Sequence, residues 1–433
     1  MTRPREQSSP VAARFIQGGL VVILIVMPFH AFVTTWLGSW LGQRGVWQSW
    51  KELLISLMAI AFIQLCWKYP TYRQIWQTGW VKTISGFAII GLLVSLFALM
   101  RHDVGLTPLA YGLKIDLEYW VVALMALAVA TKQILHRAIV ITLAAGAVVS
   151  GFVVLQAYVL PANWLTMFGY GSGSIPPYLY LTATSDTLRF AGTLGGPNQL
   201  GTYLVIVIAL TLTQLVRRPW LVGTLGLNVV ALWHSYSRSA WLAATATLPI
   251  LWIHIPHRHR RLAAFGGIAC LLLATIITMA QLNKYPALQE SLLHSPASHH
   301  QNPASSDSLR LTSIVDGLEA VAGSPLGHGF GSAGPATFQA NQPFIIENQF
   351  LQIAYETGWL GLVAFGAGLG FLIWSLWVGP CQPVGKAIAL ALAAISFAGL
   401  MLPTFSDSTT TLIAFILAGL AIGEDTYVKT ARL

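Results

Sequence analysis

Three arginines and one carboxylate are the residues of this chain best suited to chemistry on a charged substrate. Arg189 stands in LRFAGTLGGPNQLG, Arg238 in HSYSRSAWLA, Arg310 in SDSLRLTSIVDGLEA and Glu347 in IIENQFLQ. A guanidinium offers a planar fork of donors that matches phosphate oxygens. After Arg189 comes a turn punctuated by Gly and Pro, and then a predicted helix beginning near Asn198. That order sets a cation beside the free N–H groups of a helix N-terminus, a combination that favours anions. Arg238 falls in a tight turn between two apolar runs. An Arg at mid-span costs about 2.5–3.5 kcal/mol on insertion scales, less near the interface, and so usually takes a partner. Arg310 has Asp307 three residues before it and Glu319 nine after. Each Arg also has a plain reading: a side chain reaching lipid head groups, a surface turn, or a local ion pair.

Glu347 ends a long polar connection and opens an apolar run. A carboxylate held at such a boundary is a residue type that serves as a general base. Placed at a helix N-terminus, it is also a good dipole partner. Glu356, nine residues on in YETGWLG, falls two to three turns deeper and reads as structural, bonding loop backbone or an Arg. His294, His299 and His300 sit in a low-complexity run with no carboxylate framework, and His328 in GHGFGS reads as a turn residue. The chain has no DxD, HExxH or P-loop, so no metal or cofactor is expected.

The elements that must position these groups are membrane helices. Of 433 residues, 55% are hydrophobic and only 9% charged, against about 25% charged in a soluble domain. We expect an all-α polytopic membrane protein, one domain over residues 1–433. About 20 apolar residues make a span. Twelve are placed near 15–36, 52–68, 84–101, 115–131, 138–160, 199–216, 220–236, 239–256, 262–281, 350–378, 385–402 and 409–424. The first reads as an uncleaved span, not a signal peptide. With the N-terminus inside, 16 of the 24 Lys and Arg fall at inward ends and 12 of the 15 acids outside. The net charge of +9 is therefore a topology signal, not a nucleic-acid one. HRHRR at 257–261 is an inward anchor. Cys66, Cys270 and Cys381 lie in or beside spans and read as core thiols.

Two outward connections are long. Residues 161–198, rich in Gly, Pro and Tyr, read as an ordered loop. Residues 282–349 begin with a polar run and continue into a helix near 307–322, where Leu311, Ile314, Val315, Leu318 and Val321 share a face. That helix suits a position flat on the membrane. The run SPLGHGFGSAGP after it is expected to be a hinge.

Taken together, LRFAGTLGGPNQLGTYL, SYSRSAWLA, LRLTSIVDGLEAVAGSPLGHGFGS and ENQFLQIAYETGWLGL resemble the O-antigen ligase and polymerase superfamily over residues 185–375. The large loop between spans nine and ten fits it as well. The resemblance implies a C-type glycosyltransferase architecture in the bacterial inner membrane, with both termini cytoplasmic and a periplasmic active site. It also implies a glycan donor linked to undecaprenyl diphosphate. Arg189, Arg238 and Arg310 resemble the family's diphosphate-binding cations. The family's ligases commonly show His-Asn before the tenth span, with the His proposed as base; here Glu347-Asn348 stands there. Asn198, Asn348 and Glu356 are supporting residues.

The expected reaction is a metal-independent, inverting displacement in which Glu347 takes the proton of an acceptor hydroxyl. Lipid A-core is the first acceptor considered. A growing glycan (a polymerase) or a protein hydroxyl (an O-oligosaccharyltransferase) is the alternative. A transporter of an anionic solute is the rival of a different class, and it predicts ionisable residues at mid-span. Membrane lipids are partners and nucleic acid is not.

Overall fold

The computed structural model describes residues 10–181, 187–215, 217–253, 306–340, 343–379 and 381–430. Side chains are described there except at 252–253, 306–310 and 424–430. The described residues are overwhelmingly helical. In chain order the helices are α1 Val11–Val26, α2 His30–Leu41, α3 Arg44–Gln48, α4 Trp50–Lys68, α5 Pro70–Arg73, α6 Gly79–Met100, α7 Leu106–Ala128 and α8 Lys132–Tyr158. They continue as α9 Pro197–Gln214, α10 Leu221–His234, α11 Arg238–Thr247, α12 Pro249–Ile253, α13 Ser306–Gly323, α14 Gln349–Val378, α15 Val384–Ala398 and α16 Ser408–Thr430.

Eleven of the twelve predicted span positions carry helix; the ninth, 262–281, lies outside the described residues, as do HRHRR, His294, His299, His300 and Cys270. Among the described residues, five helical stretches are long and apolar enough to cross a membrane: Val11–Leu41, Trp50–Lys68, Gly79–Met100, Lys132–Tyr158 and Gln349–Val378. Leu221–His234, Val384–Ala398 and Ser408–Gly423 are shorter apolar helices.

The centre of the bundle is α9, α15 and α16 with the second half of α7. Every residue from Leu200 to Thr213 of α9 is buried, and so is every residue from Thr409 to Ala421 of α16. A helix apolar on all sides must be enclosed. Small residues let these helices close up. A methyl at Gly419 or Gly423 of α16 would run into the α7 backbone at Ala123 and Leu127, the small-residue contact that replaces hydrophobic drive between helices in lipid. Outer helices leave large apolar side chains uncovered, among them Ile60 and Ile63 of α4, Leu93 of α6 and Leu360, Val363 and Trp374 of α14. Those faces suit lipid.

Two helices break where the loops dock. Pro28 interrupts the first apolar stretch with a single 3-10 turn, Met27–Phe29, and its carbonyl accepts the Thr193 hydroxyl at 2.7 Å. In α14 the break is at Gly358, with φ +71°. The freed carbonyls of Tyr355 and Glu356 accept the N–H groups of His328 and Gly329 at 2.9 and 2.8 Å. The Gly-rich run expected to be a hinge is thus docked against an opened helix. Phe330 is fully buried against Phe87 of α6, and its N–H donates to Ser95 Oγ at 2.9 Å.

The loop over 161–198 is ordered where described. It holds a 3-10 turn, Trp164–Phe168, and a two-residue hairpin, β1 Leu179–Tyr180 against β2 Leu188–Arg189. The predicted amphipathic helix is α13. Val321 is buried on its inner side, while Leu311, Val315 and Leu318 form an exposed apolar stripe, the spacing of one helix face.

Candidate functional site: an arginine cluster beside the helix 14 start

Arg189 is positioned from three directions. In β2 it stands opposite Leu179. Its Nε donates to the Ser235 carbonyl at 3.1 Å, and its Nη2 to Asn198 Oδ1 at 2.9 Å. The next residue, Phe190, donates its N–H to the His234 carbonyl at 3.2 Å. The hairpin is therefore stitched to the turn that carries Arg238. Asn198 lies in the first turn of α9, behind Pro197, which needs no helical N–H partner at that place.

Arg238 opens α11. Tyr236, at φ +47°, reverses the chain between α10 and α11, and Ser237 N–H donates to Ser235 Oγ at 3.2 Å. Gly201 of α9 makes the close approach possible: a methyl there would sit 2.8 Å from Ser237 Cβ and 2.7 Å from Ala240 Cβ. Arg189, Asn198 and the Arg238 turn thus form one half-buried cluster where β2, α9 and α11 meet. Arg310 is on the backbone of α13, but its side chain lies outside the described residues.

Glu347 and its neighbours are fixed by the segment between α15 and α16. Asn348 caps α14, its Oδ1 accepting from Phe350 and Leu351 N–H at 3.0 Å each. Its Nδ2 donates to the Leu400 carbonyl at 2.9 Å. Gln349 N–H donates to the Gly399 carbonyl at 2.8 Å, and Phe405 N–H donates to Gln349 Oε1 at 2.9 Å. Asn348 therefore holds the loop. The Glu347 N–H donates to Ser313 Oγ of α13 at 2.9 Å, which fastens the amphipathic helix beside the carboxylate.

The same connecting segment reaches the arginine cluster. Asp407 caps α16, accepting from Thr409 and Thr410 N–H at 3.3 and 3.1 Å. Burial pushes its carboxyl above the ordinary range despite those donors. The Thr410 hydroxyl lies 3.3 Å from that of Thr202, one turn along α9 from Asn198. Asn348, beside Glu347, and Thr202, whose hydroxyl also reaches the Asn198 carbonyl, thus meet the same connecting segment.

Glu356 lies two turns into α14. Its Oε1 accepts from Gly331 and Ala333 N–H at 3.1 and 3.4 Å, locking the Gly-rich run. Facing it is Asp116 of α7. Both side chains are fully buried.

A second charged group went unremarked in the sequence. Lys51 and Lys114 both pair with Glu52 Oε1, and Trp50 Nε1 donates to His30 Nδ1 at 2.9 Å. The signals were two: a Lys-Glu step opening a span, and charges at 114, 116 and 118 around the start of another. Spacing of two along a helix sends Lys114 and Glu118 to one side and Asp116 to the other.

Fold and site together point to a multi-pass membrane protein in which the Arg189 guanidinium is tied to the turn that carries Arg238. Residues 223–366 match the family model described as O-antigen ligase, in keeping with the resemblance to the O-antigen ligase superfamily. The matched stretch holds Arg238, Arg310, Glu347, Asn348 and Glu356; Arg189 and Asn198 lie before it. No curated protein matches the chain. The family is one of glycosyltransferase-like membrane enzymes of O-antigen assembly.

Proposed function

We propose that this protein transfers a glycan from undecaprenyl diphosphate to an acceptor hydroxyl on the periplasmic side, with lipid A-core as the acceptor. The observation that carries the reading is the tie between Arg189 and the Arg238 turn through Asn198 and the Ser235 carbonyl. Such pre-set donors match a diphosphate leaving group, and charge stabilisation of this kind is usually the largest catalytic term.

The acceptor oxygen forms a bond to the anomeric carbon as the bond from that carbon to the diphosphate oxygen breaks. The electron pair leaves with the diphosphate, opposite Arg189, Arg238 and Arg310, and Glu347 takes the hydroxyl proton. The displacement inverts the anomeric centre. In this reading the guanidinium groups supply the positive charge, so no metal takes part. The amphipathic helix α13 lies along the membrane surface over the carrier, through its Leu311, Val315 and Leu318 stripe. Twelve spans, with both termini cytoplasmic, complete the topology.

Glu347 in place of a ligase His favours a second reading, a polymerase whose acceptor is a growing lipid-linked glycan. Incubating the purified protein with lipid-linked oligosaccharide and either lipid A-core, a second lipid-linked chain or a Ser/Thr peptide tests the assignment. A glycan-sized mass gain on lipid A-core is expected. Gain only on another acceptor replaces the ligase reading, and solute movement in liposomes without any transfer replaces the enzyme.

A further inference from the structure

Asp116 of α7 and Glu356 of α14 meet inside the bundle, each only 1% exposed. Backbone packing brings them together. A methyl on Gly112 would sit 2.5 Å from Gly331 Cα, so α7 touches the Gly-rich run at that point. The Gly331 N–H donates to Glu356 Oε1 at 3.1 Å. Asp116 follows Gly112 by one helical turn and shares its face. The two carboxyl groups stand within hydrogen-bonding reach of each other.

Their bonding is incomplete on one side. Glu356 Oε1 has two donors, the N–H groups of Gly331 and Ala333. Glu356 Oε2 and both Asp116 oxygens are buried with no donor. Among the described residues no Lys, Arg or His forms an ion pair with either acid, and no third acid, His or Cys joins them in a metal-binding group. Tyr119, three residues along α7, is the titratable neighbour of both, and a phenol brings no positive charge. Two carboxylates this close do not both ionise without a cation. Two acceptors form a bond only when a hydrogen lies between them. One proton meets both demands, and the charge that remains has the two N–H donors.

We propose that Asp116 and Glu356 share one proton, and that Asp116, acting through Glu356, is a positioning residue for the Gly-rich run and for Glu347 beyond it. The path is short. Glu356 holds the Ala333 N–H at 3.4 Å, and the next N–H, that of Gly334, donates to the Phe344 carbonyl at 2.8 Å. Phe344 is three residues before Glu347, and Ile346 packs in one buried cluster with Ala333 and Val321. Only the link to Glu347 rests on the proposed function; the shared proton does not.

The test joins infrared spectroscopy, hydrogen exchange and kinetics on the full-length protein in detergent. The wild-type spectrum minus that of Asp116→Asn combined with Glu356→Gln should contain one carboxylic-acid C=O stretch and one set of carboxylate stretches. Carboxylate stretches alone, which would mean a cation between two charges, overturn the shared proton, and so do acid stretches alone. Asp116→Ala should speed amide exchange at Gly331 and Ala333 about tenfold, with α9 and α16 unaffected. Asp116→Asn, whose amide supplies the missing hydrogen, should bring exchange back to within about threefold of wild type. Equal loss in the Asn and Ala variants, or unchanged exchange in Asp116→Ala, overturns the proposal. If Asp116→Ala does not fold, the spectrum and the Asn variant still decide it. In the transfer assay Asp116→Ala should lower kcat roughly tenfold to a hundredfold while KM for the lipid-linked donor holds; a normal kcat overturns the link to Glu347. Absence of transfer by the wild type, with the infrared and exchange results as expected, counts against the proposed function and leaves the proton-sharing lock standing.

Discussion

Asn198 Oδ1 accepts a hydrogen bond from Arg189 Nη2 at 2.9 Å, while Arg189 Nε donates to the Ser235 carbonyl. One guanidinium thereby joins the start of α9 to the turn that presents Arg238. Orientation of Arg189 depends on Asn198 as much as on its own backbone.

Asn198→Ala should therefore imitate part of an Arg189 substitution. A charge-assisted hydrogen bond is worth about 1.5–3 kcal/mol, so donor affinity should fall roughly tenfold or more. Steady-state transfer should show it in KM for the lipid-linked donor while the acceptor KM stays put.

The packed state of the Gly-rich run gives a stability prediction. Gly331 has φ +81°, and a methyl there would sit 2.5 Å from the Pro108 carbonyl carbon. Gly331→Ala adds backbone strain to overpacking, which together cost on the order of 2–4 kcal/mol. Thermal unfolding in detergent should show a clear drop in Tm. Gly171→Ala, with open space around it, should show almost none.

Sequence and structure agree most where the pattern is long. Apolar runs fix where helices fall, and eleven of twelve positions carry them, because hydrocarbon length is written directly into the residues. Arg189, Asn198 and the Arg238 turn were legible from type and local context, and their contact adds the geometry. What the sequence does not show of the Gly-rich run is its packing, because its glycines serve close approach to α6, α7 and α14, a property of neighbours distant in the chain. The Glu52 cluster was overlooked for a similar reason. Lys51 and Lys114 are 63 positions apart, and only the packing of α4 on α7 brings them to one carboxylate. The Asp116–Glu356 pair puts acids deeper than the outward ends, yet both lie within about three turns of their helix starts. There Glu356 holds the Gly-rich run through the Gly331 and Ala333 N–H groups.

Ser313 offers a separate handle on α13. Its hydroxyl accepts from Glu347 N–H and donates to the Ile345 carbonyl at 3.3 Å. Ser313→Ala removes both bonds, a loss of about 1–2 kcal/mol. Hydrogen exchange should speed up at Glu347 and along α13, with α9 and α16 unaffected.

His328 gives the protein an acid-sensitive contact. Burial pushes its imidazole below the ordinary value, outweighing Asp103 nearby. A His whose folded pKa is depressed is protonated more readily when unfolded. Its contribution is therefore present above about pH 6.5 and fades as pH falls below that value. Tm measured from pH 8 to pH 5 should decline more for the wild type than for His328→Gln.

The most direct test of the account is Glu347→Gln, which keeps the shape of the side chain and removes its ability to take a proton. Transfer from lipid-linked oligosaccharide by properly inserted protein should fall by roughly 10²–10⁴-fold, with donor binding retained. Transfer at the wild-type rate by that variant would contradict Glu347 as the base and the displacement built on it.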